Sequence, residues 1–585
     1  MHLKFLSLTL LTLLTSVSAS QPNPPSWPSS VKVFTTSTSS DIDSAITEAY
    51  SNNGGSPLTS CNNGQFSSSR YAFLFAPGTY NSNVPVGFYT QVAGMGRSPY
   101  DVVFDGSKGV YAEEGCGDFQ VGSLDTFWRS AENFHTKSNE AWAVGTGMTW
   151  AVSQAAPLRN VVVDNDLLFF EYTYGDAAGY ASGGWGSGLN VGGEVVYGSQ
   201  QQFMTRSSAS KGGFGTPVWN GVFVGNDGEM EERCGTEEGG GHVSVKDIGR
   251  IAEKPFIVTD ENGEVFTLII PDLQESPAAG VPYDEKGLKG GVTEVDFENV
   301  YVTQEGDGSK EINEMLDQGL HIVVSPGIYN LEESLLVGDS QVLLGLGLAT
   351  LIAPSSGDPC VIAKGKGSRV SDLLLEAGPY ATSSLLLVSG DDVVVTDVFA
   401  RVGGPTTGVG PVGSMFDIEG SGTVVDNTWL WRADHVAGDD GEDVLVRNSD
   451  NECKNGMVVR GENVTAYGLA SEHTIEDNVV WEGEGGRVYF YQAEIMYDFL
   501  GDEWEHSCLR VGDDVEDFKG FGLGCYSYFR DADGVAVSGV KTGGGEGVVV
   551  EKAVSVFLNG GGGIENVVND DGLSVKEGTQ TAFHC

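Results

Sequence analysis

An internal repeat constrains this chain more than any other feature. Asp41-Ile42-Asp43-Ser44-Ala45-Ile46 recurs as Glu311-Ile312-Asn313-Glu314-Met315-Leu316, each with the spacing of a short helix. Ala76-Pro77-Gly78-Thr79-Tyr80 recurs as Ser325-Pro326-Gly327-Ile328-Tyr329, Val86-Gly87 as Val337-Gly338, and Gly94-Met95-Gly96 as Gly345-Leu346-Gly347. The prolines lie 249 residues apart and the first glycines 251. Self-similarity at so constant an offset means two like halves. Between them, Glu253 to Asp296 loses the strand rhythm and gathers Pro255, Pro271, Pro277 and Pro282 with Gly287, Gly290 and Gly291. That stretch reads as a linker. The expected organisation is a signal segment (1–19), an N-terminal domain (20–252), a linker (253–296) and a C-terminal domain (297–585).

Within each half, short apolar runs alternate with Gly, Asp and Asn, as at Leu158–Val163, Val393–Phe399, Thr423–Trp431, Asn463–Leu469 and Val488–Tyr491. Alternation with turn residues at short intervals, and little helical periodicity, specifies an all-β chain. Repetition on a scale of ~20–30 residues favours stacked coils over a sandwich. The expected fold is therefore two tandem right-handed parallel β-helices. Glycine, at 83 of 585 residues, fits that reading, because every coil needs sharp corners and Gly, Asn and Asp tolerate them.

With 81 Asp+Glu against 32 Lys+Arg, the net charge is −49. Nucleic acid and anionic membrane surfaces repel such a protein; a neutral polymer does not. Met1–Ala19 has His2 and Lys4, a mostly apolar stretch from Phe5 to Leu14, and a small-residue Val17-Ser18-Ala19 end. It reads as a secretory signal, so the mature protein is expected to be extracellular. No later stretch offers ~18 uninterrupted apolar residues, so no membrane span is expected. Eight cysteines in an oxidising compartment predict several disulfides, with Cys508–Cys525 the favoured pair because the two lie close in one stretch. No paired-cysteine or histidine motif calls for a metal, and no organic cofactor is implied. Asn463-Val464-Thr465 is an acceptor for N-glycosylation.

Most acids must be solvated surface; Gly390-Asp391-Asp392, Gly438-Asp439-Asp440 and Gly512-Asp513-Asp514 read as turns. A different set sits among aromatic and apolar neighbours: Asp434 after Trp429-Leu430-Trp431, Glu472 in Ala470-Ser471-Glu472-His473, and Glu494 after Tyr489-Phe490-Tyr491. Glu472 and Glu494 are 22 residues apart, close to one coil. A one-coil offset stacks two residues on the same face with backbones ~4.8 Å apart. Two carboxyls so placed suit glycoside hydrolysis, where one is protonated to assist the leaving oxygen and the other is ionised to activate water or attack the sugar. Mutual repulsion and aromatic walls should raise the pKa of one. Trp431 and Tyr497 are candidates to stack on a sugar ring, although buried aromatic core is the commoner fate of such residues.

At these residues the sequence resembles the exo-β-1,3-glucanases (laminarinases) of glycoside hydrolase family 55. The elements are Trp-Leu-Trp-x-Ala-Asp-His (429–435), Ala-Tyr-Gly-x-x-Ser-Glu-His (466–473) and Tyr-Gln-Ala-Glu (491–494), with Trp150-Ala151-Val152-Ser153-Gln154 and Ser199–Arg206 in the first half. The resemblance implies two pectate-lyase-like β-helices packed side by side, a pocket between them, and release of glucose from β-1,3-glucan ends with inversion. It makes Glu494 the general acid and Glu472 the residue that positions or activates water. Asp434 would line the pocket, while Gln154 and one of Gln201 or Gln202 would bind sugar hydroxyls. A polysaccharide is the implied partner, and a monomer is expected.

The segments Val436–Lys454 and Ile495–Glu505 depart from the family pattern, and Asp439 and Asp440 offer spare carboxylates. Two other readings use the same β-helix. A polygalacturonase or pectate lyase would explain the paired aspartates at 439–440, but no Gly-His-Gly or Arg-Ile-Lys partner follows, and an acidic protein is a poor host for polyuronate. A non-catalytic glycan-binding wall protein would keep the repeat without needing both Glu472 and Glu494.

Overall fold

The computed structural model describes residues 20–53, 64–113, 124–171, 180–228, 230, 232–236, 239–405, 408–438, 443–447 and 450–585. Met1–Ala19, Cys61, Cys116, Asp439 and Asp440 lie outside them.

Each half is a parallel solenoid. In the first, a parallel ladder climbs from Val31–Phe34 through Tyr71–Phe75, Thr90–Gly94, Arg129–Thr136, Leu158–Val163, Gly184–Ser187, Gln202–Arg206 and Asn220–Val224 to Gly241–Val245. In the second, the chain alternates between two sheets. One rises through Val300–Val302, His321–Val324, Val342–Ile352, Arg369–Glu376, Val394–Val402, Val424–Arg432, Thr465–Glu472, Gly486–Glu494, Asp517–Phe529 and Ala553–Gly560. The other rises from Leu335–Val337 through Thr382–Val388 and Cys453–Val459 to Gly563–Val568. Aliphatic side chains from both sheets fill a continuous lumen, among them Leu343, Val370 and Val425 from one and Leu335, Leu386 and Val459 from the other.

The repeated motifs cap and corner the two solenoids alike. The helices Ile42–Asn52 and Ser309–Asp317 close the first coils, burying Ile42 and Ile46 in one lumen and Ile312 and Leu316 in the other. In each Pro-Gly-x-Tyr turn the tyrosine hydroxyl donates to the carbonyl four residues back, Tyr80 to Ala76 at 2.7 Å and Tyr329 to Ser325 at 2.9 Å.

The connecting segment is more than a linker. Phe256–Thr259, Phe266–Pro271 and Val292–Asp296 form an antiparallel three-stranded sheet. Ile257, Phe266 and Leu268 join an apolar cluster with Leu74 and Met95 of the first half and Val323 and Leu344 of the second. Apolar residues in Phe266–Pro271, between prolines, were enough to form a strand once a core was available to cover it.

The long strands of the second half bend where they face the first. Asp372, Asp397, Asn427, Gly468, Phe490 and Gly522, on successive coils, share φ between +52° and +67°. One left-handed residue within a strand shifts the alternation of sides. In Val424–Arg432, Val424 and Asp426 face the first half before Asn427, and Trp429 and Trp431 face it afterwards. Gly468 (φ +65°) also permits close approach: a Cβ there would lie 2.3 Å from Trp185 Cδ1.

The seam so formed is apolar at its ends and ionic at its centre. Arg159 donates to Asp397 at 2.5 and 2.8 Å and to Asp426 at 2.9 Å, and Arg206 bridges Asp426 (2.7 Å) and Glu253 (2.7 Å). Lys254 reaches both Asp372 and Glu132. All these side chains are nearly dry. Lys254, at the start of the connecting segment, thus pins the halves together, and Glu253 beside it braces Arg206. Many acids do lie on the surface as expected, yet these five are buried partners of Arg159, Arg206 and Lys254. Cys508–Cys525 pair as expected and Cys234 pairs with Cys585, whereas Cys360 and Cys453 are buried thiols of the lumen. Asn463 is exposed at the turn before Thr465–Glu472. No helix among the described residues is long and apolar enough to cross a membrane.

Candidate active site

Strand register assembles the site. Glu376 pairs with Arg401, Arg401 with Trp431, Trp431 with Glu472, Glu472 with Glu494 and Glu494 with Tyr526. These residues form one column at the carboxyl ends of the strands. The left-handed residues Gly468 and Phe490 set the phase by which Leu469 and Tyr491 enter the lumen while Glu472 and Glu494 turn toward the first half.

Gln154 of the first half completes the pair. Its Nε2 donates to Glu472 Oε1 at 3.2 Å and to the Ser182 carbonyl at 3.3 Å, and its Oε1 accepts from Ser182 Oγ at 2.9 Å. Glu472 is only 3 % exposed; Glu494 is half-buried. Glu494 accepts from Gln492 Nε2 at 3.3 Å on one oxygen and from the Tyr497 hydroxyl on the other. Asp434, just past the end of its strand, accepts from His435 Nδ1 at 3.0 Å. Gln65 of the first half lies 2.9 Å from His435 Nε2. His473 Nε2 stands 3.9 Å from both Asp434 and Glu472.

These surroundings separate the carboxyls. Burial, followed by the charge of Glu494, pushes Glu472 well above the usual carboxylate range. Burial also raises Glu494, to about 7, against the Tyr497 hydrogen bond that lowers it and with Asp434 raising it further. Burial would raise Asp434 too, but the hydrogen bond and charge of His435, helped by His473, hold it well below its ordinary value. One carboxylate is thus kept ionised beside two coupled carboxyls whose titrations are pushed upward.

The other expected residues fall differently. Trp431 is buried, with Phe66 stacked on it at 6.4 Å and Trp429 at 5.3 Å; it builds the wall and has no open face for a sugar. Tyr497 is held against His473 (4.3 Å) and Tyr528 (4.7 Å), and its hydroxyl is committed to Glu494. Gln202 is buried and donates to the Ser182 carbonyl, while Gln201 lies partly exposed at the start of that strand. Gln202 Oε1 and Gln492 Oε1 find no partner among the described residues and line a narrow crevice with Gln154, Trp185 and Trp429. Gln492, Tyr497 as a hydrogen-bond donor, and Gln65 were missed as site contributors. Gln492 could have been found, since it stands two residues before Glu494 and therefore on the same face. Among the described residues no group of three or more His, Cys, Asp or Glu side chains is arranged to hold a metal ion.

Comparison with known proteins decides the family. The LAM55 pectate lyase-like domain matches residues 300–494, the stretch that contains Asp434, Glu472 and Glu494. An exo-beta-1,3-glucanase of Streptomyces sp. (strain SirexAA-E / ActE) is 34% identical over 527 residues, covering 87% of this chain and 82% of that protein. The chain belongs to glycoside hydrolase family 55. The solved structure of sacteLam55A from Streptomyces sp. SirexAA-E superposes on this family-55 enzyme with a TM-score of 0.85 at 32% identity, covering 97% of this chain and 99% of that one. A glutamate-to-alanine variant of sacteLam55A in complex with glucose matches with a TM-score of 0.84 at 31% identity and the same coverage. The chain is a glycoside hydrolase built as paired parallel β-helices; the wall-protein and uronate-cleaving readings fall with that assignment.

Proposed function

We propose that this enzyme hydrolyses β-1,3-glucan from chain ends with inversion, with Glu494 as general acid and Glu472 positioning and activating the attacking water. The relative named an exo-beta-1,3-glucanase and the glucose complex of sacteLam55A support the substrate class. The observation that carries the assignment of roles is the direct register pairing of Glu472 with Glu494, on the wall that faces Gln154.

The division of labour follows exposure. The general acid must meet the oxygen of the departing glucan, and Glu494 is the more accessible of the two. Its raised pKa keeps it protonated at mildly acid pH. The deeper Glu472, held by Gln154, is placed for water. With the proton on Glu494, its charge no longer adds to the burial that raises Glu472, which makes it easier for Glu472 to ionise and accept a proton from water. Asp434 stays charged, which favours the protonated form of Glu494. Water enters from the face opposite the leaving group and the anomeric centre inverts. Secretion fits the disulfides and the amino-terminal signal pattern.

Glu494→Gln tests the reading. General acid assistance contributes roughly 10²–10⁴-fold, so hydrolysis of laminarin should fall by at least that range while glucan binding is retained. A loss below about tenfold would remove Glu494 from the role.

A further inference from the structure

Arg432 is the last residue of Val424–Arg432, immediately after the column residue Trp431. It pairs in register with Val402, a lumen residue, so its side chain enters the end of the lumen rather than the seam. A guanidinium there is fully dry, at 0% side-chain exposure, and must find an acceptor for each donor. It does. Nε donates to the Asn451 carbonyl at 3.1 Å. One terminal nitrogen donates to the His473 carbonyl at 2.9 Å and Asp498 Oδ1 at 2.9 Å. The other donates to the Asp450 carbonyl at 2.8 Å and Asp498 Oδ2 at 2.9 Å. All five N–H groups of the fork are used.

The acceptors matter for where they sit. His473 follows Glu472 directly. Asp498 follows Tyr497, whose hydroxyl donates to Glu494. Asp450 and Asn451 close the excursion that leaves the strand at Asp434 and returns at Cys453–Val459. One planar group therefore spans three successive rungs and touches the backbone or side chain next to each member of the carboxyl cluster.

We propose that Arg432, with Asp498, is a positioning residue that sets the relative placement of Asp434, Glu472 and the Glu494–Tyr497 pair. The inference rests on the reading of Glu494 and Glu472 as acid and water activator. It follows from geometry: the Arg432 fork reaches all three rungs at once, and a misplacement of ~1 Å at a reacting centre costs on the order of 10²-fold in rate. Lysine keeps the charge but has a point-like ammonium with three donors, so it cannot reproduce the fork.

The test uses full-length Arg432→Lys and Asp498→Asn beside Glu494→Gln. Each is assayed on a laminari-oligosaccharide, which needs a proton on its leaving oxygen, and on dinitrophenyl β-glucoside, which does not. Thermal unfolding is recorded for all. The expected result is a fall of about 10–100-fold in kcat on the oligosaccharide, with KM nearly unchanged, and a smaller loss on the activated glucoside, which is spared the displacement of Glu494 but not that of Glu472. Equal losses on both substrates that track the unfolded fraction would overturn the proposal, as would wild-type kinetics. Variants that do not accumulate as folded protein would make Arg432 a fold-forming residue and overturn it too. If Glu494→Gln itself keeps wild-type hydrolysis, the underlying reading falls; if it shows the leaving-group signature and Arg432→Lys does not, only this inference falls.

Discussion

Tyr497→Phe should move the alkaline limb of the pH profile upward. The Tyr497 hydroxyl donates to Glu494 Oε2 and lowers its pKa, working against burial and Asp434, which together leave the group at about 7. A hydrogen bond to a charged group contributes about 1.5–3 kcal/mol, and one pKa unit is 1.36 kcal/mol, so losing it shifts the titration by about 1–2 units. The sign is set by which form the bond favours. The hydroxyl stabilises the carboxylate, so its removal favours the protonated acid and raises the pKa. A general acid works while protonated, hence activity should persist to higher pH. Because Glu494 is coupled to Glu472, the limb reports a property of the pair, and the prediction concerns that macroscopic value. The assay is kcat/KM for a laminari-oligosaccharide across pH, which reads the free enzyme. An alkaline limb that stays in place, or moves down, would refute the reasoning.

Two further predictions concern contacts between the halves. Gln154→Ala strips ionised Glu472 of the amide donor that stabilises it; a hydrogen bond to a charged group contributes about 1.5–3 kcal/mol, so kcat should fall by about 10- to 150-fold, and kinetics unchanged from wild type would contradict the bridging role. Asp372 bonds with Gln91 and Lys254 through Oδ2 while its Oδ1 has no partner among the described residues, and burial pushes it to about 7 although Lys254 opposes the rise. The folded chain then holds a proton that the unfolded chain has lost above ~4, so stability should decline as pH rises from about 4 through 7; thermal melts should show this slope in the wild type and a flatter one in Asp372→Asn, and equal slopes would contradict it.

What was legible in the sequence is what repeats. The Pro-Gly-x-Tyr turns, the glycine corners and the 22-residue step from Glu472 to Glu494 are local or periodic, and the register follows from them: Glu472 and Glu494 do pair directly. Long-range pairing left no such trace. Arg159 finds Asp397 at a separation of 238 residues, and Arg206 finds Asp426 at 220; in a chain with 81 acids nothing local marks which ones are buried. Trp431 shows the limit from another side. Its place in the column was readable, but both faces are covered, one by Phe66 of the other half, so its use as wall rather than platform was not. The connecting segment misled because its prolines signal interruption, whereas they fall at or beyond the ends of strands that a neighbouring core completes.

The most direct test is to follow the anomeric configuration of the first sugar released from laminarin by proton NMR, before mutarotation, with wild type and Glu494→Gln in parallel. The account predicts α-glucose as the first product of the wild type and almost none from the variant. β-Glucose as first product, early release of longer oligosaccharides, or a variant that matches the wild type would contradict it.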